Sequence, residues 1–472
     1  MSTLRPEHPS DGDGRVPPPG CPAHARGASD LPRLYGPEAL QDPAAFYERL
    51  RARYGPVAPV LLHGDLPAWL VLGHRENLEV MRKSSSFSRD SRRWPPFQEG
   101  RVAPDSPLNP LIGWQPICVF ADGAEHERLR GAVTDSMAQV DRRGIRRYVV
   151  RHTKQLVEAF ALSGQADLVV QYAEKLPMLV MCQIMGMPDR YGPHLVSACL
   201  DLMKGSPTAF ASNEFLVDTL RELVRQKRVA PGRDFASWLI GHSSQLTDDE
   251  VLEHLRLVLV AANETTVNLI ANTLRMVLTD PRFRANLAGG HMTLPDALEQ
   301  VLWDAPPLSV VPGRWATGDT VLGDQQIRQG DLLLLGLAAG NVDPEIRSDL
   351  TVPVHGNRSH LAFSSGPHEC PGRDIGRAIA EAGIDTLLSE LPGLELRAPA
   401  EELSQSTSWV STRVDSLPVR FPPRRVSVRY STEPETAVGP SVPAFAPDAR
   451  LHTPRPTGAA RRPWWKSLLK GR

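Results

Sequence analysis

A mainly α fold with small β-sheets is what this 472-residue sequence predicts, on three observations. Apolar residues recur at helical spacing through most of the chain between about residues 31 and 280. A β-like texture broken by Gly-Asp turns follows between about residues 315 and 335, after which helical spacing returns. The order contains no repeat of fixed period and no βαβ alternation.

Each element has its own local reason. Residues 1–30 are rich in Pro, Gly and charge without an apolar period, so a disordered N-terminal segment is expected there. From Asp42 to Tyr54 the apolar residues fall at helical spacing. Val57 to Leu72 is rich in Val and Leu around a Gly-Asp turn, the pattern of a hairpin. Thr247 and Glu250 form a T-x-x-E capping box, and the chain then runs without Pro or Gly to Asp280, just before Pro281, which predicts one helix roughly 50 Å long. A shorter helix is expected at Leu294 to Trp303. β-segments are expected at Trp315 to Leu322, Gln326 to Ile327 and Leu332 to Leu335, and a last helix at Arg373 to Leu391.

Composition narrows the function classes. Apolar residues make up 41% and charged residues 23%, and 53 basic against 54 acidic side chains give a formal charge of −1, which argues against electrostatic capture of nucleic acid. The longest apolar run, Leu332 to Gly340, has nine residues, where about 18 are needed to span a bilayer, so no transmembrane helix is expected. The N-terminus lacks the apolar core of a secretory signal, which points to a cytoplasmic protein. Cys21, Cys118, Cys182, Cys199 and Cys370 have no C-x-x-C spacing and read as unpaired thiols of a reducing compartment. Residues 424–472 form a separate basic unit with ten basic and three acidic residues. Its end, RRPWWKSLLKGR, would set Trp464, Trp465, Leu468 and Leu469 on one helical face, either as a solvated tail or as a weak contact with an anionic membrane surface or a partner protein.

The segment FSSGPHECPGRDIG, residues 363–376, carries the clearest chemistry. Cys370 stands between Gly366 and Gly372 at the mouth of the Arg373 helix, whose free N–H groups favour a thiolate. The glycines allow close backbone approach to a large flat ligand, and Phe363 offers a face to shield the sulfur. Read alone, a lone cysteine is more often an inert core thiol. The segment resembles the haem-binding loop F-x-x-G-x-[H/R]-x-C-x-G of the cytochrome P450 family, with Phe363, Gly366, His368, Cys370 and Gly372 at its defining positions.

The resemblance implies a triangular, helix-rich P450 fold over residues 31–423, haem b as cofactor, and Cys370 as axial thiolate of the iron. AANETT, Ala261 to Thr266, is similar to the family's A-[G/A]-x-[D/E]-T-T segment in the helix over the distal face of the haem, which implies proton delivery by Glu264 and Thr265. Taken alone, Glu264 would point to solvent and Thr265 would bond back to its own helix. His126 and Arg130 match the family's propionate-binding H-x-x-x-R. Arg314 in PGRWAT and His368 complete the set by the same resemblance. The HE pairs at His126 and His368 lack the second histidine of H-E-x-x-H, so a zinc hydrolase is not supported.

One family motif is altered. E-x-x-R falls at Gln300 and Trp303, with Glu299 displaced by one residue, and the following segment lacks the usual phenylalanine-rich stretch with its partner arginine. The ion pair is therefore expected to be absent. Concerted replacement by packed groups is the economical reading, because removing only one member of a buried pair costs about 3 to 5 kcal/mol. The function implied is insertion of one oxygen atom from O2 into a small apolar substrate. The sequence has no flavin or iron–sulfur motif, so electrons are expected from a separate ferredoxin and ferredoxin reductase. Arg373 and Arg377 are placed to dock the ferredoxin. Arg142, Arg143, Arg146, Arg147 and Arg151 form a stripe read as a solvated face. The alternative is a non-catalytic haem-binding or partner-binding member of the same fold.

Overall fold

The structure, a computed structural model, describes residues 31–424 except 205–207, 282, 284, 286–288, 291 and 355. The N-terminal 1–30 segment, Cys21 and the tail beyond Arg424 lie outside the described residues.

The local signals translate directly into elements. Asp42 accepts a hydrogen bond from Ala45 N and starts the helix Pro43–Tyr54, which ends at Gly55 with φ 77°. The hairpin pairs Val57–Leu62 with Leu66–Val71, turning through Gly64 and Asp65, both at positive φ. Its two strands are buried almost throughout because both sheet faces are covered. Leu332–Gly336 adds in parallel to Leu66–Val71, then Val310–Ala316 and Phe87–Ser88 complete a five-stranded sheet.

The expected strand Trp315 to Leu322 is corrected. The chain forms one strand at Val310–Ala316 and a separate two-stranded hairpin of Thr320–Leu322 with Gln325–Ile327. Pro312 and Gly313 read as strand breakers, but the strand absorbs them in a bulge between Pro312 and Arg314, with Gly313 at φ 96°. The sequence also gave no signal for two further small sheets. One joins Gln165–Asp167, Pro418–Arg420 and Glu395–Leu396, and the other joins Gln405–Thr407 and Thr412–Val414. Strands of two or three residues are too short to establish a period.

The longest helix spans Asp248–Thr279, with the Thr247 and Glu250 capping box formed and Asp280 as its C-cap. By length and composition it could cross a membrane, yet 67% of its apolar stretch is buried within the fold. Its apolarity is that of a core helix: Leu255, Leu259, Val267, Ile270 and Leu274 lie in the main hydrophobic cluster. Two buried amides tie it to the segment leaving the helix Leu294–Asp304, through Asn268 Nδ2 to Pro307 O (3.1 Å) and Asn272 Nδ2 to Ala305 O (3.1 Å).

The helix Arg373–Glu390 packs on Arg142–Glu158 and crosses the long helix. Gly383 permits the close approach: a Cβ there would stand 2.7 Å from Leu176 Cδ2, and Tyr172 donates its hydroxyl to Gly383 O at 2.8 Å. The helix that follows Cys370 is thus fixed to the core through its middle, from Ile379 to Leu387.

Candidate active site

Cys370 lies at the end of a loop built from two 3₁₀ turns, Leu361–Phe363 and Gly366–His368, before the helix Arg373–Glu390. Its backbone N–H donates to Phe363 O at 2.8 Å and closes the loop. Cys370 is exposed, whereas Cys118, Cys182 and Cys199 are buried. Burial pushes the Cys182 and Cys199 thiols up to about 12, the profile of inert core cysteines. The surrounding chain also pushes the Cys370 thiol up, opposed by the Gly372 N–H and by the charges of Arg130 and Arg373.

Two expectations about this loop are refined. Gly366, at φ 72°, is required by packing: a Cβ there would meet Met81 O at 2.8 Å and Arg82 Cα at 3.1 Å, at the end of the helix His74–Arg82. Gly372 is the N-cap of the following helix, and its Cβ would touch only Cys370 Sγ, at 3.9 Å. The Phe363 ring carries the Arg377 guanidinium, 4.7 Å from its centroid, and serves the loop through its carbonyl oxygen.

The fold brings His126, Arg130, Arg314 and His368 into one cluster. The two imidazole rings lie 4.1 Å apart. Arg130 donates to Glu369 O, beside Cys370, and to Thr134 Oγ1 at 3.0 Å. Arg314 is only 3% exposed, and the bulge turns it toward the neighbouring carbonyl of Gly313 at 3.3 Å. Sequence reasoning missed Arg89, which is also buried and donates to Val119 O, Pro312 O and Gly313 O. It stands in an arginine-rich stretch where no spacing singles it out.

The charges do not balance. Asp122 receives Ser88 Oγ and Arg89 N and lies 3.8 Å from His368, and it is the one carboxylate acting on Arg89 and Arg314 among the described residues. Burial lowers Arg89 to about 10 and Arg314 well below its usual value. His368 falls to about 3 and His126 is lowered, both mainly by burial, so the imidazoles are neutral at pH 7. His126 Nε2 is buried without a partner. Two buried guanidiniums, Arg89 and Arg314, share the single carboxylate of Asp122, and partly buried Arg130 adds to this excess of positive charge, which fits an anionic ligand carrying carboxylates, as haem does.

On the long helix, Thr265 Oγ1 donates to Ala261 O at 2.8 Å, the bond expected from the segment read alone. Glu264, however, does not point to solvent: its Oε2 is buried without a hydrogen-bond partner. Burial raises its pKa, opposed by Arg413 and Asn268. Arg413, from the hairpin strand Thr412–Val414, pairs with buried Glu174 at 3.2 Å. Val260 is 44% exposed and Ala261 is exposed, so this stretch turns an open face at Val260 and Ala261. The helix crossing brings this stretch to the segment after Cys370: a Cβ at Gly376 would lie 3.8 Å from Thr266 Oγ1.

The altered motif also takes a defined form. Gln300 Nε2 donates to Asp304 Oδ2 (2.6 Å), and its Oε1 accepts from Val354 N (3.0 Å). Trp303 donates Nε1–H to Asn357 O (2.8 Å) beneath the Arg347 guanidinium. The expected replacement of the pair by packed groups is corrected: with no E-x-x-R pair at Gln300 and Trp303, buried Glu299 pairs instead with Arg377 at 2.9 Å and with His360 at 3.1 Å. The docking role expected for Arg377 is corrected with it, because its side chain is 14% exposed and faces inward. Arg373 remains half-exposed, against Glu369 and Asp374. Within the arginine stripe, Arg142, Arg146 and Arg151 meet Asp374, Asp385 and Asp189.

No family model matches the chain. The 2-hydroxy-5-methyl-1-naphthoate 7-hydroxylase of Streptomyces carzinostaticus is 29% identical over 395 residues, 80% of this chain and 95% of its own length. Cytochrome P450 107B1 of Saccharopolyspora erythraea is 30% identical over 393 residues, again 80% of this chain and 95% of its own. The chain belongs to the cytochrome P450 family. The solved structure of CYP154C4 from Streptomyces sp. W2061 agrees with this P450 at a TM-score of 0.73 and 28% identity, covering 82% of this chain and 97% of that one. This P450 is therefore a monooxygenase whose cofactor is haem, carried on a cysteine thiolate. Bacterial P450s of this kind take electrons from redox partners.

Proposed function

We propose that this P450 hydroxylates a small apolar molecule, with Cys370 as the thiolate ligand of its haem and a separate ferredoxin and ferredoxin reductase as electron source. The observation that carries the reading is the pairing of one exposed thiol, in a loop closed by Phe363 O, with an adjoining cluster whose buried cations Arg89 and Arg314 share one carboxylate. His126, Arg130, Arg314, His368 and Arg89 would hold the two haem carboxylates, with charge-assisted bonds from Arg130 and Arg314 supplying most of the hold. When bound, the haem supplies the reductive activation of dioxygen. The chain's own part is to keep the thiolate in place and to deliver protons. Thr265 presents its hydroxyl from the turn at Ala261, and Glu264 supplies the proton from the buried side of the same helix.

The naphthoate hydroxylase among the relatives is in keeping with a ring-containing substrate. A non-catalytic member of the fold, suggested by the missing E-x-x-R and the basic tail, is not favoured, since the relatives over most of the chain are hydroxylases.

The deciding test is the absorption difference spectrum of the reduced, carbon-monoxide-bound protein, for wild type and Cys370→Ser. The red-shifted Soret band of a thiolate carbonyl is expected in the wild type and lost in the variant. Its persistence in Cys370→Ser would rule out Cys370 as ligand. For Thr265→Ala, haem content is expected to stay at the wild-type level while a larger share of the electrons ends in peroxide; unchanged coupling would remove Thr265 from proton delivery.

A further inference from the structure

The carboxylate of Glu299 touches both ends of the loop that carries Cys370. At the entry, His360 N-caps the turn Leu361–Phe363. Its Nδ1 accepts from Ala362 N at 3.2 Å, which leaves the proton on Nε2, and that N–H donates to Glu299 Oε2 at 3.1 Å. At the exit, Arg377 stands about one turn into the helix that begins at Arg373. Its Nη2 donates to Glu299 Oε2 at 2.9 Å, and its Nε lies 2.9 Å from Oε1 as a charge contact without hydrogen-bond geometry. The same guanidinium lies over Phe363, whose carbonyl accepts from Cys370 N–H. Exposed Arg358 lies 3.8 Å from Oε1. Asn341 fastens the entry to the Glu299 helix: its Oδ1 accepts from Leu361 N, and its Nδ2 donates to Leu302 O.

We propose that Glu299, Arg377 and His360 are positioning residues that clamp the Cys370 loop at both ends, and that they replace the family's E-x-x-R pair with an arginine supplied by the helix after the cysteine. This rests on the reading of Cys370 as the haem ligand. The geometry explains why Trp303 is tolerated where the family has arginine. Glu299 sits one residue earlier and faces Arg377, while Trp303 packs between His74 and His360 and bonds Asn357 O. A buried pair of this kind fixes a geometry even where apolar packing would match it in stability.

The test uses Glu299→Gln, Arg377→Met, Arg377→Lys and the double variant Glu299→Gln/Arg377→Met in the full-length protein. Three readouts are taken: the thiolate share of the reduced carbonyl spectrum per haem bound, amide hydrogen exchange of residues 360–372 in haem-free protein, and the thermal unfolding temperature. Both single charge removals are expected to shift the carbonyl spectrum toward the non-thiolate form and to speed exchange in the loop about tenfold, with the Val57 to Leu72 hairpin unchanged. Arg377→Lys is expected to recover part of the thiolate share. The double variant, which leaves no uncompensated buried charge, is expected to regain thermal stability but not the thiolate share. A wild-type spectrum and wild-type loop exchange in Arg377→Met or in the double variant would overturn the clamp. Exchange needs no haem, so it decides the clamp even if Cys370→Ser shows that another group is the ligand.

Discussion

Glu264 illustrates how one side chain ties stability to chemistry. Its carboxyl is buried, one oxygen lacks a partner, and burial raises its pKa above the ordinary 4.5. Between that value and the folded one, the folded chain holds a proton that the unfolded chain has released. The stability of the neutral form is therefore complete at low pH and is lost as pH rises through the folded pKa. Glu264→Gln is expected to stabilise the protein by about 1 kcal/mol at neutral pH, with little effect at pH 4. Thermal unfolding at the two pH values checks this, and coupling of electron use to product is expected to fall in the same variant. The Glu264 and Thr265 motif could be singled out in the sequence because it is contiguous. Arg413 and Glu174, which set the environment of Glu264, could not be: each is an ordinary charged residue until the fold brings its short hairpin or turn against the long helix.

Among elements, legibility follows how local the governing chemistry is. The long helix was readable to its ends because the Thr247 and Glu250 capping box and Pro281 act within one turn. Thr247→Ala is expected to cost about 1 kcal/mol, seen as a lower unfolding temperature with an unchanged carbonyl spectrum. The strand Val310–Ala316 was misread because its bulge depends on the partner strand Leu332–Gly336. That bulge has a function at the site, since it turns Arg314 into the cation cluster. Gly313→Ala adds a Cβ at φ 96°, 2.9 Å from Arg89 Nη1. It is expected to destabilise by about 1 to 3 kcal/mol and to weaken haem retention, measured as haem transfer to an apoglobin acceptor.

Across the whole molecule, a net charge of −1 conceals a concentrated local imbalance. Arg89 and Arg314 are buried cations with lowered pKa values, so the haem-free fold carries an electrostatic cost that a dianionic ligand removes. Arg314→Met is therefore expected to raise the unfolding temperature of haem-free protein while lowering that of haem-loaded protein, a crossing that calorimetry of the two forms can detect. The cluster was only half legible: the family pattern marked four members, and its electrostatics became visible only when Arg89 and Asp122 were placed beside them. The inward turn of Arg377 also reaches beyond the loop it holds. Near Cys370, Arg373 already lies against Glu369 and Asp374, and Arg142 against Asp374. An electron donor approaching Arg373 and Arg142 meets charges already matched by Glu369 and Asp374, so these two residues should add little to the ionic-strength dependence of its association, and recognition at them would rest on shape more than on long-range attraction.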